Sequence, residues 1–167
     1  MSESKSDPAA GVNGGFEITD NGLPVNWLMY TPSTVPKAQF EIVMDRDIYQ
    51  EGKQALKFVV DDCESTGGWH SPGFTNEFFE VDRFRGEGEY ILGFWIKNDG
   101  ALFRVSAGGV SAKEGSMKTL IQSDQTMDEW KYYEFTVAIK EKDWLRMELN
   151  ILSPGVLWID GVEVIRV

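Results

Sequence analysis

The sequence has one cysteine, Cys63, and one histidine, His70. A lone cysteine excludes an intrachain disulfide and any cysteine-based zinc site. A lone histidine excludes a multi-histidine metal centre or mechanism. Cys63 lies in Asp61-Asp62-Cys63-Glu64, where neighbouring carboxylates raise a thiol's pKa and make it a poor nucleophile. No apolar run approaches the roughly 18 residues of a membrane span. Positive charge is scarce, with 16 Lys and Arg against 27 Asp and Glu, so the net charge is −11. Such a surface repels phosphate backbones and anionic bilayers, and neither nucleic acid nor membrane insertion is expected. No Gly-x-Ser-x-Gly elbow, phosphate-binding glycine loop or His-Glu-x-x-His is present. A glycosidase needs only two suitably spaced carboxyls, which an acid-rich chain can supply by chance. No stretch longer than about ten residues shows helical periodicity.

Aromatic side chains are abundant at 13%, within a hydrophobic share of 42%. They fill β cores and also make flat binding platforms. Short apolar runs bounded by Gly, Pro, Asn and Asp predict strands near 16–19, 27–30, 39–44, 54–61, 75–81, 89–97, 102–107, 118–122, 130–139, 145–152 and 156–167. Many short strands without helices between them predict an all-β, jelly-roll β-sandwich of two antiparallel sheets.

Alternation assigns faces to these strands. Tyr90, Leu92, Phe94 and Ile96 share one face, opposite Ile91, Gly93 and Trp95. Leu145, Met147, Leu149 and Ile151 oppose a polar row of Arg146, Glu148 and Asn150. Phe103, Val105 and Ala107 oppose Arg104 and Ser106. If these strands share a sheet, its outer face joins Trp95 to Arg104, Arg146, Glu148 and Asn150. A pyranose ring fits such a surface, with its C–H face on the aromatic and its hydroxyls on the polar groups. The plainer reading is a solvated sheet face, with Trp95 packed under a loop. The loop Gly67-Gly68-Trp69-His70-Ser71-Pro72-Gly73 places Trp69 and His70 at a cleft edge, or folded back on the sandwich. Trp27, Trp130 and Trp158 read as packing residues, and Trp144 could go either way.

The two ends carry further motifs. Asn13-Gly14-Gly15-Phe16-Glu17 is followed by Leu23-Pro24-Val25-Asn26-Trp27, and the chain closes on Trp158-Ile159-Asp160-Gly161-Val162. Together these resemble carbohydrate-binding modules of the family 4/9/22 type, within the galactose-binding-like β-sandwich superfamily. The resemblance spans residues 13–167 and leaves 1–12 as a flexible lead. It implies a non-catalytic polysaccharide-binding module that keeps an attached or partner glycoside hydrolase near its substrate. It also implies a structural calcium where the first strand, a glycine-containing loop and the last strand meet. Glu17, Asp160 and the backbone around Gly52 occupy the matching positions, with Lys53 a mild argument against. The alternatives are a cell-surface interaction scaffold on the same fold and a jelly-roll polysaccharide-degrading enzyme. Residues 1–10 are polar, without the apolar segment of a signal peptide. The expectation is an extracellular, cell-surface or periplasmic monomer whose targeting segment is absent from this chain.

Overall fold

A computed structural model describes residues 13–24, 27–35, 37–63, 70–76, 88–110, 115–139 and 144–166. Within them run twelve strands and no α-helix. A small β1 (Thr19–Asp20) and β2 (Leu23–Pro24) pair near the N-terminus. The first large sheet runs β10 (Lys131–Ile139), β7 (Gly88–Asp99), β12 (Gly155–Arg166), β5 (Ala55–Asp62), β4 (Gln39–Asp45). The second runs β3 (Trp27–Tyr30), β6 (Gly73–Asn76), β11 (Trp144–Ser153), β8 (Leu102–Val110), β9 (Gly115–Ser123). All pairings are antiparallel, and the two sheets make the expected sandwich.

The inner faces follow from alternation. Tyr90, Leu92, Phe94 and Ile96 of β7, and Leu145, Met147, Leu149 and Ile151 of β11, are all fully buried. Phe58 of β5 and Phe103 of β8 join them in one core cluster. Each large side chain removed from water contributes about 1.5–3 kcal/mol, which is what holds the two sheets together. Trp27 is core as expected, with its ring 5.0 Å from Phe74 and 5.5 Å from Phe16.

Three details refine the predicted elements. Residues 16–18 are not a strand: Phe16 has φ of 57° and closes a turn onto Asn13. Trp158 is buried as expected, but its register places it opposite Lys57 and Lys97 on the outward side of the first sheet. Both ammoniums sit over its ring, at 5.3 and 5.2 Å, and its indole N–H donates to Asp45. The turn at Asn98-Asp99-Gly100 does not make a hairpin. It carries the chain from β7 in one sheet to β8 in the other.

Candidate functional site

The structure divides the sequence-predicted binding residues between the two outer faces. Arg146, Glu148 and Asn150 on β11 and Arg104 on β8 share the second sheet, with Asn150 directly opposite Arg104. Trp95 lies on β7 in the first sheet, opposite Tyr132 of β10. Trp95 therefore does not stand beside the polar row. Its neighbour is the Tyr132 ring, 5.1 Å away and tilted by 49°. The expected union of Trp95 with the arginines is corrected for this reason: consecutive strands β7 and β8 belong to different sheets. His70 is exposed just ahead of β6, where the Pro72 carbonyl accepts the Ile151 N–H of β11 at 2.8 Å. Trp69 lies outside the described residues.

Across the second sheet, register builds two outward rows. One runs Tyr30, Gly73, Asn150, Arg104, Gln122; the next runs Leu28, Thr75, Glu148, Ser106, Thr119. Outward residues of a bare sheet face are normally solvated. Here Tyr30 is 0%, Asn150 1%, Thr75 2% and Ser106 8% exposed. These polar groups are covered, so each must find partners. The Tyr30 hydroxyl reaches across β6 and donates to Glu148 Oε2. Arg146 donates through Nε to Thr75 Oγ1 at 2.9 Å, and Thr75 passes its own hydroxyl proton to the Met147 carbonyl at 3.0 Å. Arg104 Nη2 approaches Asn150 Oδ1 at 3.4 Å. Burial, reinforced by the Glu148 carboxylate, pushes the Tyr30 phenol well above the usual range, so it acts as a proton donor in this network.

Tyr30, Thr75 and Ser106 were not among the expected site residues. Trp27 and Met29 alternate with Leu28 and Tyr30, so the sequence did hold the sign that Tyr30 faces away from the core.

A second cluster forms where the chain ends meet the 45–53 loop. Asp160, fully buried, accepts the Gln50 and Glu51 N–H groups through Oδ2 at 2.9 and 3.0 Å, and Gly161 N–H through Oδ1 at 2.8 Å. Glu17 Oε1 accepts Lys53 N–H at 3.0 Å, while its buried Oε2 has no hydrogen-bond partner. Gly52, with φ of 68°, lies so close that a Cβ would stand 2.2 Å from Glu17 Oε2. Glu17, Gly52 and Asp160 are therefore brought to one corner. Burial lifts the Asp160 carboxyl from 3.8 to about 7, against the pull of its three N–H donors and aided by Glu51. Among the described residues no group of three or more His, Cys, Asp or Glu side chains comes together for a metal. A hard cation here would take the orphaned Glu17 oxygen, Asp160 and backbone carbonyls, a donor chemistry that suits calcium.

Cys63 is half-buried, its thiol pushed up to about 11 by burial and then by Asp62, in keeping with an unreactive side chain. No helix among the described residues is long and apolar enough to cross a membrane.

Carbohydrate-binding modules share this two-sheet β-sandwich architecture. Solved structures agree. The CBM22-1 xylan-binding domain of Paenibacillus barcinonensis Xyn10C matches with a TM-score of 0.63 at 12% identity, over 92% of each chain. TmCBM61 in complex with β-1,4-galactotriose matches at 0.64 and 19% identity, over 93% of this chain and 96% of that one. The CBM22-1–GH10 modules of Clostridium thermocellum Xyn10B, complexed with xylohexaose, match at 0.63 and 14% identity. There the match covers 84% of this chain and 26% of that one. These likenesses establish the fold. The sequence itself matches no protein-family model and no curated protein.

Proposed function

We propose that this chain is a non-catalytic polysaccharide-binding module that holds its glycan on the outer face of the second sheet. One observation carries the reading: an outward polar row, Arg104, Asn150, Glu148 and Arg146, set among polar residues that are almost fully covered. Planar donors and acceptors fixed by Thr75 and Tyr30 are pre-organised for the hydroxyls of a sugar chain, which lowers the entropy cost of binding. Neighbours of this fold described as xylan-binding, or solved with galactotriose or xylohexaose, support the ligand class. One of them is joined to a GH10 module, which supports a role in tethering a glycoside hydrolase at its substrate. The module would act as a monomer outside the cytoplasm, where polysaccharides are met.

Affinity electrophoresis and tryptophan fluorescence against soluble xylans, β-glucans, mannans, galactans and pectins test this reading. Glu148→Gln keeps an acceptor for the Tyr30 hydroxyl but loses the charge. It should weaken glycan binding by roughly tenfold, the value of one charge-assisted hydrogen bond. Trp95→Ala, on the opposite face, should leave affinity unchanged. Loss of binding in Trp95→Ala with retention in Glu148→Gln would move the site to the first sheet.

The corner of Glu17, Gly52 and Asp160 is proposed as a structural calcium site. Its signature is a pH effect. Asp160 titrates near 7 folded and near its ordinary 3.8 unfolded. Between those values the folded chain holds a proton that the unfolded chain has released. With calcium chelated, the contribution of Asp160 to stability is therefore greatest below pH ~4, falls by an amount on the order of a few kcal/mol as pH rises to ~7, and is flat above, while Asp45, whose carboxyl is held low, contributes in the opposite sense at acid pH. Millimolar calcium holds Asp160 as the carboxylate and should abolish that fall. Calorimetric melting from pH 4 to 8, with chelator or with calcium, reads it directly. Identical curves would remove the ion from this corner.

A further inference from the structure

The second sheet's outer face reverses the charge character of the chain. Overall the sequence carries 27 acidic and 16 basic residues. Among the described residues, the charged outward side chains of β8 and β11 are Arg104 and Arg146 against one carboxylate, Glu148. Glu148 accepts the Tyr30 hydroxyl. Arg104 donates to Asn150 Oδ1, and Arg146 donates to Thr75 Oγ1 and stands against the same Tyr30 hydroxyl that Glu148 accepts. Among the described residues neither guanidinium is ion-paired to a carboxylate.

Both arginines are half-buried. Each guanidinium carries five N–H donors, and the bonds within the protein use only part of them. Among the described residues Arg104 has no carboxylate partner and Arg146 meets Glu148 only through the Tyr30 hydroxyl, so both forks keep N–H groups for a ligand's negative charge. The planar fork of arginine matches a carboxylate in two parallel hydrogen bonds. Arg104 stands opposite Asn150, four residues along β11 from Arg146. At about 3.3 Å per residue the two lie roughly 13 Å apart along the strand, further than one sugar ring reaches.

Resting on the glycan-binding reading, we propose that the ligand of this face is an acidic polysaccharide. Its uronate carboxylates are bound by Arg104 and Arg146, and its hydroxyls by Glu148. A polymer, not a monosaccharide, is needed to engage both arginines.

The test compares polygalacturonate and glucuronoxylan with their carboxyl-reduced, neutral counterparts, and with dextran sulfate, by affinity electrophoresis and calorimetry. Each uronate polymer should bind about tenfold or more tightly than its reduced form, the worth of one charged hydrogen-bond pair. Arg104→Gln should narrow that gap, and Arg104→Lys, which keeps the charge without the fork, should narrow it less. Melting curves confirm that both variants fold. Equal affinity for acidic and reduced polymers overturns the inference while leaving the glycan-binding module intact. Dextran sulfate bound as tightly as polyuronate overturns the carboxylate assignment in favour of any polyanion. Silence of the folded protein towards every polymer brings down the glycan-binding reading itself.

Discussion

Asp160→Ala will destabilise the fold by about 3–5 kcal/mol, measured as a shift of the urea midpoint at unchanged slope. The carboxylate is fully buried and takes three backbone N–H groups at 2.8 to 3.0 Å. It sits where the β12–β7 register shifts, between Asp160 and Glu163. The bulge leaves the Gly161 N–H outside the ladder, and the side chain accepts it together with the Gln50 and Glu51 N–H groups of the 45–53 loop. Alanine strands all three N–H groups, each worth about 1–3 kcal/mol when left unsatisfied. Those of Gln50 and Glu51 can turn partly to water, which brings the sum down. Asp160→Asn keeps one good acceptor and should lose about half as much. Asp47→Ala, an exposed acid on the same loop, should stay within about 0.5 kcal/mol. A loss below about 1 kcal/mol for Asp160→Ala would mean that the 45–53 loop docks without its help.

This corner was legible in the sequence and the binding face only half so, for a physical reason. Alternation is a local property, so the buried rows of β7 and β11 could be read residue by residue. The same holds for the polar row Arg146, Glu148, Asn150. Which sheet a strand joins is not local. Had β7 and β8 shared a sheet, Trp95 would have stood on the same face as Arg104. In the structure, fully buried Asn98 makes a corner instead. Its side chain donates to the Ala101 and Gln125 carbonyls at 2.8 and 3.0 Å, and its Oδ1 accepts Ala101 N–H at 3.1 Å. An asparagine that satisfies its own turn frees the two strands from pairing with each other. Gln125, 27 positions away, is a partner that no local pattern could have named.

The consequence for function is that two different surfaces compete for the aromatic and the polar halves of a sugar site. The first sheet offers Trp95 and a 40% exposed Tyr132, whose phenol is pushed up to about 12 by burial and by Glu134 and Glu163. The second offers fixed polar groups. An arginine held by Thr75 and a carboxylate held by Tyr30 are suited to discriminate among hydroxyl patterns, whereas a lone aromatic pair binds any flat apolar face. On the proposed reading, specificity belongs to the second sheet.

That sheet depends on one glycine. Gly73→Ala should destabilise the protein by about 4 kcal/mol or more, in the range reserved for a severe local mechanism. Gly73 has φ of 149°, and a Cβ there would stand 1.8 Å from the Leu149 carbonyl oxygen and 3.1 Å from Asn150 Cα. The obstacle is the backbone of β11, which cannot rotate away as a side chain would. To admit the methyl, β6 must leave β11. In doing so it withdraws Thr75 from Arg146 and carries β3, with Tyr30, away from Glu148. Whatever fraction stays folded should have lost glycan binding as well. Gly22→Ala separates strain from collision: φ is 81°, yet nothing lies within 4 Å of the added atom. Its cost should be the left-handed penalty alone, about 1–2 kcal/mol. Equal losses in the two variants would show that backbone conformation, and not the close approach of β6 to β11, is what Gly73 supplies.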